Sequence, residues 1–205
     1  MIKYLDYIEA TEAHILHPEE LSTRGIKELR DAIKIFQALR DEFVKIPSHS
    51  ISTKWDGAPA IVCGINPDNK KFFVSTKAAL ATEPRVCYTI QDIKKYFENI
   101  ELQAKLMAAL QYLPNLKITG IMQGDLLFTM GSKKHETIDD KEHIVFRANT
   151  ITYAVEANSE VGEQINRAKI GIVFHTRYVG SPGKLVKSAL SANEVPESTT
   201  DVWSI

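Results

Sequence analysis

The chain has little cysteine and almost no net charge. Cys63 and Cys87 are its two cysteines, and the formal net charge of the 205 residues is −1. The two cysteines form no CxxC pair and have no zinc-ligand spacing, so we expect reduced thiols in a cytoplasmic protein. A net charge near zero gives no global basic field. Contact with nucleic acid would therefore need a local basic patch or a missing domain.

Long apolar runs and phosphate-binding glycine loops are also missing. No stretch approaches the ~20 apolar residues that cross a bilayer, and the N-terminus lacks the apolar region of a signal peptide. We therefore expect no membrane partner. Neither a Walker A loop nor a GxGxxG motif occurs. The composition, with 44% hydrophobic and 25% charged residues, is that of an ordinary globular protein and excludes a disordered chain.

The first part of the chain has helical periodicity. Apolar residues at spacings of three and four predict an amphipathic helix over residues 23–44, with Thr23 as its N-cap. These positions are Ile26, Leu29, Ile33, Phe36, Leu39 and Phe43. We assign residues 1–49 to an N-terminal helical segment and residues 50–205 to an α+β domain. The chain stops on an apolar segment, so we expect this domain to be truncated at its C-terminus.

The remainder mixes strand and helix signals. Apolar residues 60–63 and 72–74 flank a turn cluster, which predicts a hairpin. Residues 89–113 return to helical spacing, whereas residues 131–142 are polar and predict a loop or hairpin tip. Four further segments predict strands, and residues 181–205 are weakly patterned. The predicted strands are residues 118–128, 144–146, 150–155 and 170–175. This order is an α+β pattern and does not suit regular βαβ alternation.

The segment Lys54-Trp55-Asp56-Gly57 directly precedes the hairpin and could carry chemistry. A lysine becomes a nucleophile when it is partly desolvated or surrounded by other cations. Asp56 could orient Lys54, and Gly57 would let the backbone approach a phosphate closely. The alternative is an exposed lysine before a hairpin turn, because a bare KxDG often occurs by chance.

This segment resembles the KxDG motif of the covalent nucleotidyltransferase superfamily, which holds ATP- and NAD-dependent DNA ligases, RNA ligases and mRNA capping enzymes. The resemblance implies antiparallel sheets around a nucleotide cleft, with flanking helices. It also implies that Lys54 attacks the α-phosphate of ATP or GTP and forms a lysine–NMP phosphoramidate. The implied cofactors are ATP and Mg²⁺.

Three further segments resemble motifs of that superfamily in the same order along the chain. Lys77 follows the hairpin, where the family has a basic residue that contacts the nucleotide. Asp125 follows Gln123-Gly124, like the family's acid that binds a ribose hydroxyl, and Tyr153 resembles its base-stacking aromatic. The resemblance therefore implies nucleotide-binding roles for Asp56, Gly57, Lys77, Asp125 and Tyr153.

Two expected motifs are not found. Residues 169–175 have the hydrophobic shape of the family's fourth motif but lack its metal-binding acid, so the metal ligands stay unknown. Lys184 and Lys187 are the nearest basic pair to the last motif, and their spacing is wrong. The KWDGAPA, QGDL and VFHT segments together resemble uncharacterised proteins of large tailed phages, which would place the protein in the host cytoplasm. Two functions stay open: a ligase-like adenylyltransferase acting on a nucleic-acid 5′-phosphate, or a catalytically inactive nucleotide-binding or structural phage protein.

Other histidines and acids are weaker candidates. His14 and His17 could share a helix face and a metal, but surface histidines are favoured. The cluster from His135 to His143 could bind a cation, but it lacks the spacing of an EF-hand loop, so a solvated loop is favoured. His175 lies in an apolar strand pattern, and we expect a core histidine with satisfied hydrogen bonds.

Overall fold

The computed structural model of the protein describes residues 21, 23–45 and 55–205. Lys54, His14 and His17 lie outside the described residues. The chain divides into two units, Met1–Thr53 and Lys54–Ile205, and each is considered by itself. No helix within the described ranges is long and apolar enough to cross a membrane.

The first unit contains one described helix, α1, over Ile26–Lys45, which confirms the predicted helix. The predicted cap is wrong. The helix begins three residues after Thr23, and the Leu29 N–H donates to the Gly25 carbonyl at 3.0 Å. Gly25 has φ +144°, a backbone conformation that favours glycine and permits the chain to turn into the helix. The apolar side chains of α1 from Ile26 to Leu39 are largely exposed.

The second unit is built on a large sheet that contains six strands among the described residues, ordered β2-β1-β3-β7-β8 with β9 beside β7. The strands are β1 (Ala60–Ile65), β2 (Phe72–Ser75), β3 (Ile121–Thr129), β7 (Ile170–Val179), β8 (Val186–Ser188) and β9 (Val202–Ser204). All pairs are antiparallel except β7 with β9, which is parallel. The hairpin β1–β2 and the predicted strands at β3 and β7 are confirmed.

A smaller antiparallel sheet has the order β4-β5-β6. Its strands are β4 (Lys133–Ile138), β5 (Lys141–Arg147) and β6 (Thr152–Glu156). The polar residues 131–142 are therefore mostly strand, and the tip is only Asp139 and Asp140, both with positive φ. Nearly all side chains of β4 are exposed, so this strand needs no alternation of apolar and polar residues and gives no period-2 signal.

The helical stretch over residues 89–113 is two helices, α2 (Ile90–Tyr96) and α3 (Ile100–Tyr112). The break comes at Asn99, whose side chain accepts a hydrogen bond from the Leu102 N–H at 2.8 Å and caps α3. The eight-residue helix α4 (Glu160–Arg167) was not predicted. It follows the N-cap Ser159 and buries Gly162 and Ile165.

Helices α2 and α3 cover one face of the large sheet. Their apolar side chains and those of the strands form the main core. Its buried members include Ile61, Cys63, Met122, Leu126 and Phe174 from the strands and Ile93, Leu106 and Ala109 from the helices. Burial raises the pKa of the Cys63 and Cys87 thiols to about 12. The protein is thus an α+β fold with antiparallel sheets and flanking helices, as the sequence predicts.

The opposite face of the large sheet carries two smaller clusters. In one, Leu127, Phe128 and Val173 pack against Phe146 and Tyr153 of the small sheet, which places the small sheet over this part of the face. The other cluster contains Val62, Phe73, Ile121 and Tyr178, with the connection after β2 packed on it. Asp125 lies on the same face, because it alternates with Leu126 of the main core.

Candidate functional site

The chain after Lys54 runs close beside β3. The Ala58 N–H donates to the Leu126 carbonyl at 2.9 Å, and the Leu126 N–H donates to the Pro59 carbonyl at 3.0 Å. A Cβ on Gly57 would lie 2.6 Å from the Leu126 carbonyl oxygen and 2.9 Å from the Asp125 Cβ. No residue larger than glycine fits here without a shift of the backbone. Glycine at position 57 therefore permits the segment to pack directly against Asp125. The close approach of Gly57 is therefore made to β3, and its predicted approach to a phosphate stays a prediction.

Asp56 is held by the connection between β5 and β6. Its Oδ2 accepts hydrogen bonds from Asn149 Nδ2 at 3.2 Å and from Thr150 Oγ1 at 3.0 Å. Its backbone N–H donates to the Tyr153 hydroxyl at 2.8 Å. These three contacts join Asp56 to the small sheet and to the connection between β5 and β6.

Aromatic rings support the same segment. The Trp55 ring lies 4.8 Å from the Tyr153 ring and 5.4 Å from the Trp203 ring, measured between centroids. The Tyr153 ring also lies 5.5 Å from Phe146, in a stacked arrangement. Tyr153 therefore uses both its ring and its hydroxyl to hold residues 55 and 56. Its role as a base-stacking residue stays a prediction.

His175 lies beside Asp125, at a β-bulge in β7. Gly124 pairs with Phe174 and Gln123 pairs with Thr176, so residue 175 is the extra residue of β7. Bulges re-aim a side chain and are frequent beside active sites. The His175 Nε2 lies 3.4 Å from the Asp125 Oδ1, and the exposed fractions of the two side chains are 39% and 27%. The prediction that His175 is a core histidine is wrong, because His175 follows Phe174 of the main core and lies on the opposite face of β7, where its side chain is partly in solvent.

Lys77 lies at the same end of the large sheet. β2 ends at Ser75, which pairs with Val62, and Lys77 begins a short 3₁₀ helix two residues later. Ala60, at this end of β1, pairs with Asp125. The Lys77 side chain is exposed. The fold thus brings Asp56, Gly57, Asp125 and Tyr153 together. Lys77 follows the strand end on the same side of the large sheet, and Lys54 lies outside the described residues.

Within residues 21, 23–45 and 55–205, no group of three or more His, Cys, Asp or Glu side chains could hold a metal ion. The charged cluster on β4 and β5 is paired across its own hairpin: the His135 Nδ1 lies 2.8 Å from the Glu142 Oε1. A pocket of about 330 Å³ lies elsewhere, lined by residues that include Met122, Arg177 and Glu194. None of the candidate nucleotide-binding residues lines it.

Residues 12–205 match a family described as a family of unknown function, DUF6267. The chain belongs to this family. No curated protein and no solved structure matches the chain. The match spans the whole site from Trp55 to Trp203, so the arrangement around Asp125 lies within the part of the chain that defines DUF6267 membership.

In this DUF6267 protein, sequence reasoning missed three residues of the site. Asn149 and Thr150 hold Asp56, and both lie in the connection before β6, where polar residues are ordinary turn formers. His175 stands in a run of apolar residues, and nothing in that run indicates the bulge. The bulge is seen in the pairing register of β3 with β7, and the contact of His175 with Asp125 is seen in the structure.

Proposed function

We propose that this DUF6267 protein is a nucleotidyltransferase that forms a lysine–AMP intermediate on Lys54. The proposed acceptor of the AMP is a nucleic-acid 5′-phosphate, as in a ligase. The observation that supports the proposal most is the close contact of Gly57 with Asp125 and Leu126. Two segments that resemble separate motifs of one superfamily, nearly seventy residues apart in sequence, meet at backbone contact distance on one sheet face.

The chemistry divides into two balanced steps. The neutral Lys54 amine attacks the α-phosphorus of ATP, a P–N bond forms, the bond to the pyrophosphate oxygen breaks, and the amine proton passes to solvent. An oxygen of the acceptor phosphate then attacks the same phosphorus, the P–N bond breaks, and the amine regains a proton. Cations beside the phosphates stabilise the charge that develops in such transfers.

The site residues would take distinct parts in this reaction. Asp125 would accept a hydrogen bond from a ribose hydroxyl, and the exposed Lys77 would contact the phosphates. Mg²⁺ would neutralise phosphate charge when bound. The described residues of the site include two carboxylates, Asp56 and Asp125, and one or two carboxylates with substrate phosphates are a usual environment for Mg²⁺.

Intact-mass spectrometry after incubation with ATP and Mg²⁺ tests this function. We expect an acid-labile AMP adduct on the wild-type protein and none on Lys54→Ala. Lys54→Arg should fail equally, because a guanidinium stays protonated and cannot attack. The control Lys134→Ala, on the exposed strand β4, should keep the adduct. An adduct that survives Lys54→Ala would assign the nucleophile to another residue.

The alternative is a catalytically inactive nucleotide-binding or structural phage protein with the same fold. The observation that favours it is that β7 carries no acid from Ile170 to Val179. The two functions differ in a simple pair of measurements. Both catalysis and simple binding predict that ATP raises the melting temperature, because ATP would bind only the native state. A rise in melting temperature without an adduct would support the inactive protein, and the absence of both would contradict nucleotide binding altogether.

A further inference from the structure

A basic surface lies on the face of the large sheet that carries the candidate site. It is formed by two stretches of chain, residues 76–88 after β2 and residues 180–188 after β7. The two stretches pack against each other. The Gly183 N–H donates to the Ala79 carbonyl at 2.9 Å, and a Cβ on Gly183 would lie 3.3 Å from the Pro84 ring. Ala79 is buried in the apolar cluster of this face, so both stretches are fixed on the sheet.

The charges on these two stretches are nearly all positive. They carry four cations and one carboxylate, Glu83, although the formal net charge of the whole chain is −1. The cations are Lys77, Arg85, Lys184 and Lys187, and all four side chains are exposed. Within the described part of the chain, none of the four forms an ion pair. Exposed like charges that no acid neutralises create a positive local field.

Strand pairing puts Lys187 on the same face as the candidate site. Lys187 pairs with Tyr178, whose ring is buried in the cluster on that face, and directly paired residues of antiparallel strands point to the same side. The exposed Val179 and Val186 form the next pair and point to the other side. Positive charge without an exposed apolar centre fits the phosphates of a nucleic acid. A membrane or a protein partner would instead bury apolar side chains.

We propose that Arg85, Lys184 and Lys187 bind the phosphate backbone of a nucleic acid that lies across this face of the large sheet. The inference deepens the proposed function, since this surface would hold the nucleic acid that receives the AMP, and that acceptor role rests on the proposed function. Phosphate contacts position a protein on a nucleic acid without reading its sequence. Binding here should therefore be independent of sequence and sensitive to salt.

Fluorescence anisotropy of the full chain, without ATP, tests the inference with a labelled nicked DNA duplex and a labelled single-stranded RNA. At least one probe should bind, and its affinity should fall as the salt concentration rises. The triple variant Arg85→Gln, Lys184→Gln, Lys187→Gln should bind about tenfold or more weakly. The slope of log affinity against log salt should become shallower by about 3, about one for each phosphate contact. The charge-preserving variant Arg85→Lys, Lys184→Arg, Lys187→Arg should bind like the wild-type protein.

The matched control is the triple variant Lys94→Gln, Lys95→Gln, Lys117→Gln. It removes the same charge at exposed positions in or shortly after the helices α2 and α3, which cover the other face of the sheet. It should keep the wild-type affinity and slope. Equal weakening in the two Gln variants would overturn the inference, because it would show a response to net charge alone. Tighter binding of phosphatidylserine vesicles or of poly-glutamate than of either nucleic acid would also overturn it, in favour of a membrane or an acidic protein.

The inference and the proposed function can fail separately. An AMP adduct on a protein that binds neither probe would overturn the inference and leave the proposed nucleotidyl transfer standing. Binding that is lost in the Gln variant of Arg85, Lys184 and Lys187, on a protein that forms no adduct, would support the inference and contradict the nucleotidyl transfer.

Discussion

At the scale of single residues, the candidate site depends on a glycine that permits a close backbone contact and on three side chains that bind Asp56. Gly57 permits the contact with β3, while Asn149, Thr150 and Tyr153 hold Asp56 from the other side. Gly57 is thus fixed by steric exclusion and Asp56 by hydrogen bonds.

Gly57→Ala is expected to destabilise the protein by about 1–3 kcal/mol, the usual cost of an overpacked position. The added Cβ would meet the backbone of Leu126, which cannot move without disturbing β3. The measurement is equilibrium urea unfolding with tryptophan fluorescence. The control is Gly131→Ala, because a Cβ on Gly131 meets nothing within 4 Å. Equal free energies of unfolding for the two variants would show that the segment at Gly57 can move away from β3 without destabilising the protein.

At the scale of elements, the half-buried Lys133 joins the small sheet to α4. Lys133 Nζ on β4 donates to the carbonyls of Ile165, Asn166 and Ala168 at 2.6, 2.9 and 2.7 Å. These carbonyls lie at the C-terminus of α4, where a cation also interacts favourably with the helix dipole. Burial, with a smaller effect of Lys169, lowers the pKa of Lys133 to about 8.

Lys133→Met is expected to lower the free energy of unfolding by about 1.5–3 kcal/mol, because the last carbonyls of α4 lose a charged donor while the apolar stem is kept. Hydrogen exchange should become faster at the amides in the last turn of α4. The comparison variant is Lys134→Met, whose side chain is exposed on the same strand. Unchanged exchange in Lys133→Met would mean that water replaces the ammonium without loss.

At the scale of the whole molecule, the last strand completes the core beneath the site. β9 pairs with β7, and the buried Trp203 contacts Trp55 at 5.4 Å and Phe128 at 6.3 Å between ring centroids. The end of the chain thus supports the segment that follows Lys54, some 150 residues earlier in sequence. This contact links the stability of the second unit to the geometry of the candidate site.

Trp203→Ala is expected to cost about 3–5 kcal/mol, as for other large aromatic residues truncated in cores. Circular dichroism during urea unfolding should be used, since the substitution removes one of the two tryptophans. Trp203→Phe should cost less, because it keeps a ring in the cluster. Val179→Ala, at an exposed position in the same sheet, serves as the control. A cost below about 1 kcal/mol would contradict a core role for β9.

The sequence predicted those helices and strands whose apolar residues follow a regular spacing or flank a clear turn. The hairpin β1–β2 has an apolar run on each side of an Asn-Pro-Asp-Asn turn, and α1 has a regular apolar spacing. The sequence did not predict β4, because nearly all its side chains are exposed and show no apolar alternation. It did not predict α4, because eight residues are too few to show a clear helical periodicity. Residues 89–113 form two helices because the Asn99 side chain caps the second one. The spacing of apolar residues does not reveal such a cap.

By itself, the sequence determined the α+β class, the main strands and the residues that resemble a nucleotidyltransferase site. Composition, periodicity and motif order are local properties, and they can be evaluated along the chain. Only the tertiary structure decided which side chains meet: Gly57 against Asp125, Tyr153 against Asp56, and His175 beside Asp125. Those contacts depend on the register of strand pairing and on the close approach of segments far apart in sequence, which local patterns along the chain do not determine.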